Sequence, residues 1–104
     1  MPRRAAKIDK NQPEIVAALR DAGFTVTPLH AVGGGCPDIL CGKWGKNALL
    51  EIKDETAEHH YKKTRNVAKC LTPDQHKFHF MWQGSLGVVW TPEEAIAEAT
   101  RQCQ

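Results

Sequence analysis

The sequence predicts an α/β fold, a mixed sheet flanked by helices, in the order α-β-β-β-α-β-α. Three observations predict it. First, Asn11-Gln12-Pro13-Glu14, Thr72-Pro73-Asp74-Gln75 and Thr91-Pro92-Glu93-Glu94 each join a capping residue, an early proline and an acid or amide three residues on, a pattern that opens helices. Second, short apolar and β-branched runs lie between them at Phe24 to Thr27, Pro37 to Cys41, Ala48 to Lys53 and Leu86 to Trp90. Third, 104 residues make one core, since a chain of this size buries roughly 65% of its unfolded surface and a half of it too little to fold alone. Residues 1–104 are therefore read as a single domain.

The elements follow in order. After the start at Asn11, Ile15, Val16, Leu19 and Ala22 recur at the helical period, and Gly23 ends the helix. Phe24-Thr25-Val26-Thr27 alternates as a strand and breaks at Pro28. Gly33-Gly34-Gly35 is a flexible turn before the second strand, and Gly42 to Asn47 is a hairpin connection. Ala48 to Lys53 is the most apolar run and is expected inside the sheet. Residues 54–70 are polar and basic, a long loop or short irregular helix, and a loop of that length in a small domain is usually functional or mobile. The second helix runs from Thr72 to Gln83 and closes at Gly84, and the last helix ends near Thr100.

Composition narrows the class. With 41% hydrophobic and 25% charged residues, the chain is an ordinary globular protein. Its apolar runs are too short for a membrane span, and no apolar stretch follows Arg3, Arg4 and Lys7 as a secretory signal would require. A cytoplasmic protein is expected, so Cys36, Cys41, Cys70 and Cys103 are read as free thiols. The net charge of +2 says little about partners, but its distribution says more. Arg3, Arg4, Lys7 and Lys10 open the chain, Lys62, Lys63, Arg65 and Lys69 cluster in the middle, and Glu93, Glu94 and Glu98 gather near the end. That separation suits one face turned to a polyanion, although two solvated charge runs would look the same.

The chemistry lies on the second and third strands. In Leu49-Leu50-Glu51-Ile52-Lys53 the period of two sets Glu51 and Lys53 on one face and Leu50 and Ile52 on the other. Burying a carboxylate and an ammonium on an apolar strand is costly unless they are paired or bound to something. If the hairpin closes through Gly42 to Asn47, Asp38 comes close to both. Two carboxylates can hold a divalent cation with positions left for substrate oxygen, and a lysine beside it can orient water or stabilise charge on phosphorus. A structural salt bridge between Lys53 and either acid fits the spacing equally well.

Gly35-Cys36-Pro37-Asp38-Ile39-Leu40 followed by Leu50-Glu51-Ile52-Lys53 resembles the Pro-Asp…Glu-x-Lys signature of the PD-(D/E)XK nuclease superfamily. The glycine run before Pro-Asp, Leu71-Thr72-Pro73-Asp74-Gln75 and the Gly87-Val88-Val89 strand resemble its VRR-NUC (virus-type replication-repair nuclease) branch, over roughly residues 10 to 97. The resemblance implies a restriction-endonuclease-like core with Asp38 and Glu51 as ligands of Mg2+ or Mn2+, the Ile52 carbonyl completing the site, and Lys53 as the catalytic lysine. Glu14 matches a first-helix acid that many members use at the metal, and Gln75 matches a glutamine facing the active site. Both also stand at capping-box positions, which would explain them without any role in catalysis.

The insert at 54–70 is longer and more basic than the compact family pattern. Lys62, Lys63, Arg65 and Lys69 could grip phosphates and Tyr61 or His60 could stack on an unpaired base, or the segment is a solvated loop. The expected activity is a metal-dependent endonuclease on DNA, selective for branched DNA such as a Holliday junction and acting as a homodimer. Cutting of ordinary duplex ends or single strands, and binding without cutting, are the alternatives. A zinc site from His59, His60, His76, His79 and the cysteines lacks standard spacing. Gly33-Gly34-Gly35 lacks the Gly-Lys-Ser/Thr of a P-loop and is read as the hinge delivering Asp38. Trp44, Trp82 and Trp90 are read as core or dimer contacts, with Trp44 in a turn a candidate for exposure.

Overall fold

Among residues 10–54 and 70–104, which the computed structural model describes, three helices flank a four-stranded mixed sheet in the expected order. The elements are α1 (Gln12–Asp21), β1 (Thr25–Pro28), β2 (Ile39–Lys43), β3 (Lys46–Ile52), α2 (Pro73–Met81), β4 (Gly87–Val89) and α3 (Pro92–Cys103). The basic groups at Arg3, Arg4, Lys7, Lys62, Lys63, Arg65 and Lys69, together with His59, His60 and Tyr61, lie outside the described residues.

The sheet order is β1-β2-β3-β4, antiparallel across the first three strands and parallel between β3 and β4. β3 is interior, as its apolar character requires. The register pairs Ile39 with Leu50 and Cys41 with Ala48, so these residues share a face with Val26 and Ile52. That face packs on Ile15, Val16 and Leu19 of α1 and on Ala95, Ala99 and Cys103 of α3 to form the core. Burying an aliphatic side chain of this kind contributes about 1.5–3 kcal/mol.

Two connections differ from expectation. The hairpin is tighter: β2 runs on to Lys43, β3 begins at Lys46, and Trp44 and Gly45 alone make the turn, both at positive φ (57° and 74°). Such a turn matches the right-handed twist of its strands, and Lys43 Nζ lies over the Trp44 and Phe24 rings, 4.5 and 4.8 Å from their centroids. The β1 strand extends one residue further than the alternation indicates: Pro28 pairs with Ile39 at the end of an edge strand, where a residue without an N–H is tolerated.

Capping decides the helix ends. Thr72 and Thr91 each accept from the backbone N–H three residues on, and Gln75 and Glu94 return the bond, so both boxes close. The N-terminal box of α1 does not form. Asn11 has helical backbone angles and no side-chain capping bond; its amide instead donates to the Lys53 and Trp90 carbonyls at 2.9 and 2.8 Å. It thereby clamps the start of α1 to the ends of β3 and β4. At the other end of α1, Gly23 and Phe24 donate back to Arg20 and Leu19, the paired bonds of a Schellman stop.

Candidate active site

Asp38 stands one residue before β2, and its N–H donates to the Leu50 carbonyl at 3.0 Å. Extending the Ile39–Leu50 register by one step sets Asp38 opposite Glu51. Its Oδ2 accepts the Ile52 N–H at 2.6 Å, which fixes the carboxylate against β3. The two acids and Lys53 are 7%, 1% and 8% exposed, at the end of the sheet face turned away from the core. Buried groups of this polarity need partners.

The α2 helix supplies them. Gln75 Oε1 accepts from Lys53 Nζ at 2.8 Å while its Nε2 donates to Glu51 Oε2 at 3.2 Å. The same Oε1 takes the Thr72 N–H of the capping box at 2.9 Å. One amide therefore caps the helix and bridges acid to base, so the two accounts of Gln75 coexist geometrically. One turn further along, His79 Nε2 lies 3.5 Å from Glu51 Oε1. Burial, the Lys53 ammonium and His76 together lower the His79 pKa and favour the neutral ring. Burial first, and then the charges of Glu51 and Asp38, raise the Cys36 pKa.

The placement of α2 depends on the glycine run. Gly33, Gly34 and Gly35 all have positive φ, and a Cβ on Gly35 would collide with the Asp74 and Gln75 backbone. Gly35 thus lets the loop before Asp38 lie directly against the first turn of α2. No residue of α2 is buried. Its anchors are the Gln75 bonds and Phe78 and Trp82, which stack at 5.2 Å and line an apolar groove with Leu29, Leu40 and Leu49. Trp82, at 44% exposure, is therefore not core, while Trp90 is buried and Trp44 exposed.

Of the residues the sequence singles out, Asp38, Glu51, Lys53 and Gln75 come together, with Ile52 joined to them through its N–H. Glu14 does not join this group: it is exposed on the first turn of α1 and makes no hydrogen bond among the described residues. His79, weighed in the sequence only as a zinc ligand, is a further neighbour of Glu51. The signal for His79 was its spacing of four from Gln75, which sets both on one side of a helix. Asp54, 7% exposed, is a further buried acid next to Lys53.

The donor chemistry suits a hard divalent cation. Asp38 and Glu51 are opposed carboxylates, and Asp38 Oδ1 takes no hydrogen bond from the described residues. Mg2+ asks for one or two such carboxylates and keeps several waters. No group of three His, Cys, Asp or Glu side chains among the described residues is gathered closely enough to hold a metal by side chains alone. No protein-family model matches the chain, and comparison with curated proteins and with solved structures returns no match.

Proposed function

We propose that this protein is a metal-dependent nuclease that hydrolyses phosphodiester bonds in DNA. The observation that carries the reading is the opposition of Asp38 and Glu51 across the β2–β3 pairing, with Lys53 two residues on and held by Gln75. Asp38 and Glu51 would hold Mg2+ or Mn2+, and the Ile52 carbonyl is the proposed further ligand. When bound, the cation would supply Lewis-acid polarisation of a phosphoryl oxygen and a more acidic water. Lys53, whose ammonium donates to Gln75 Oε1, would orient the attacking water and stabilise negative charge developing on the phosphoryl oxygens.

Branched DNA is the proposed substrate and a homodimer the proposed active species. The likeness of the Pro-Asp…Glu-x-Lys region to junction-cutting nucleases supports both, and two paired nicks require two sites. Lys62, Lys63, Arg65 and Lys69 are the proposed phosphate contacts. A labelled four-way junction, a linear duplex and a single strand, each with Mg2+, Mn2+ or chelator, test the reading. Symmetric, chelator-sensitive cuts on the junction alone are expected. Lys53→Ala should keep binding the junction within about twofold, since one ammonium is a small part of the backbone contact. Its cleavage should fall by about 10²-fold or more. Cutting at the wild-type rate by that variant would overturn the assignment.

A further inference from the structure

Two side chains of α2 face the same carboxylate. Gln75 and His79 are one helical turn apart and so project from one side of the helix. Gln75 Nε2 occupies Glu51 Oε2, and His79 Nε2 faces Glu51 Oε1 across 3.5 Å. That nitrogen is buried and takes no hydrogen bond from the described residues, whereas buried polar atoms are ordinarily satisfied.

An ion pair between His79 and Glu51 explains the arrangement poorly. A charge-assisted N–H···O bond is about 2.7–2.9 Å long, well below the observed 3.5 Å. With the ring proton on Nδ1, Nε2 turns a lone pair to the carboxylate, and two lone-pair donors this close repel unless a cation lies between them. Adjacent ligands of one octahedral cation, at bond lengths of about 2.1 Å, stand roughly 3 Å apart, so a small closure would let both donors reach the same ion.

We propose that His79 Nε2 and Glu51 Oε1 hold the cation together, which makes the site selective for a first-row transition ion over Mg2+. The inference rests on reading Asp38 and Glu51 as metal carboxylates, and adds an imidazole to them. Mg2+ takes oxygen ligands and dehydrates reluctantly, whereas imidazole suits transition ions. Asp38, Glu51 and His79 do not form a three-ligand cluster as they stand; in the proposed site the Glu51–His79 pair supplies the nitrogen-bearing half, and Asp38 would join it as second carboxylate on closure.

The test uses the full chain with Mn2+ and Mg2+ as probes, in calorimetric titrations and in electron spin-echo spectra of the Mn2+-loaded protein. Wild type should bind Mn2+ at least about tenfold more tightly than Mg2+ and show the 14N modulation of a coordinated imidazole. His79→Gln should lose the modulation and weaken Mn2+ binding about tenfold, leaving Mg2+ binding within about twofold because that ion favours oxygen. Absence of the modulation in wild type, its persistence in His79→Gln, or equal weakening of both ions would overturn the proposal. If His79→Gln does not fold, judged by circular dichroism, His79→Asn carries the same expectations. Loss of binding in Glu51→Gln with no change in His79→Gln leaves the carboxylate site standing and removes only His79. Unchanged binding of both ions in Glu51→Gln would remove the metal site itself.

Discussion

Asn11 shows how one side chain can do work that its sequence context assigns elsewhere. It sits where a capping residue belongs, yet its amide satisfies two strand-end carbonyls, Lys53 and Trp90. A buried carbonyl without a donor costs about 1–3 kcal/mol. Asn11→Ala should therefore lower stability by about 2 kcal/mol, and its Tm by roughly 10 °C for a domain of this size, measured by thermal unfolding. Cys41 gives a pH prediction. Burial, with Cys103 adding to it, pushes its pKa from 9.0 up to about 12. The unfolded thiol ionises first as pH rises, so the folded state binds the extra proton and its stability contribution is lost between pH 9 and about 12. Wild type should lose stability over that range more steeply than Cys41→Ala, in unfolding curves taken at successive pH values.

Among the elements, β4 and α2 have the least support of their own. β4 pairs only with Leu50, Glu51 and Ile52, which leaves the Leu49 backbone without a strand partner on that side. Gln102 of α3 takes the place: its Oε1 accepts the Leu49 N–H at 3.0 Å and its Nε2 donates to the Leu49 carbonyl at 3.2 Å. Gln102→Leu would strand two buried backbone groups, and a loss of about 2–4 kcal/mol in urea unfolding is expected. The α2 helix buries none of its residues and depends on contact with the glycine run. Gly35→Ala adds about 1–2 kcal/mol of left-handed strain and a clash with α2, so the first turn should shift. On the proposed nuclease reading, cleavage should then fall by about tenfold or more, because misplacement of a positioning group is costly to rate, even at temperatures where circular dichroism shows the chain folded.

At the scale of the molecule, the sheet divides the labour between its faces. One face packs against α1 and α3 and holds the core; the other carries Asp38, Glu51 and Lys53 under the lightly anchored α2. No described helix is long and apolar enough to cross a membrane. Leu40, Trp44, Phe80, Met81 and Trp82 remain exposed, Phe80 at 86%. If the active species is a dimer, sedimentation should give twice 11.6 kDa. Mixing wild type with Lys53→Ala subunits should then turn paired cuts on a junction into single nicks. Paired cuts at the wild-type proportion in that mixture would speak against two cooperating sites.

The order of the elements, the Thr72 and Thr91 caps, and Glu51 and Lys53 sharing a face were legible in the sequence. Each depends on a period or on bonds between residues three or four apart, and local geometry repeats wherever the local pattern does. Other features had no such pattern behind them. Asp38 opposite Glu51 depends on a register set by a two-residue turn at Trp44 and Gly45. Gln75 bridging Lys53 and Glu51, and His79 facing Glu51, depend on where α2 docks, which Gly35 permits. Asn11 leaves its cap because two carbonyls from distant strands end beside it. Sequence alone determined which groups this protein has to work with and which face of a strand they share. Only the tertiary structure decided which of them meet, since those contacts join residues far apart in the chain and are chosen by packing.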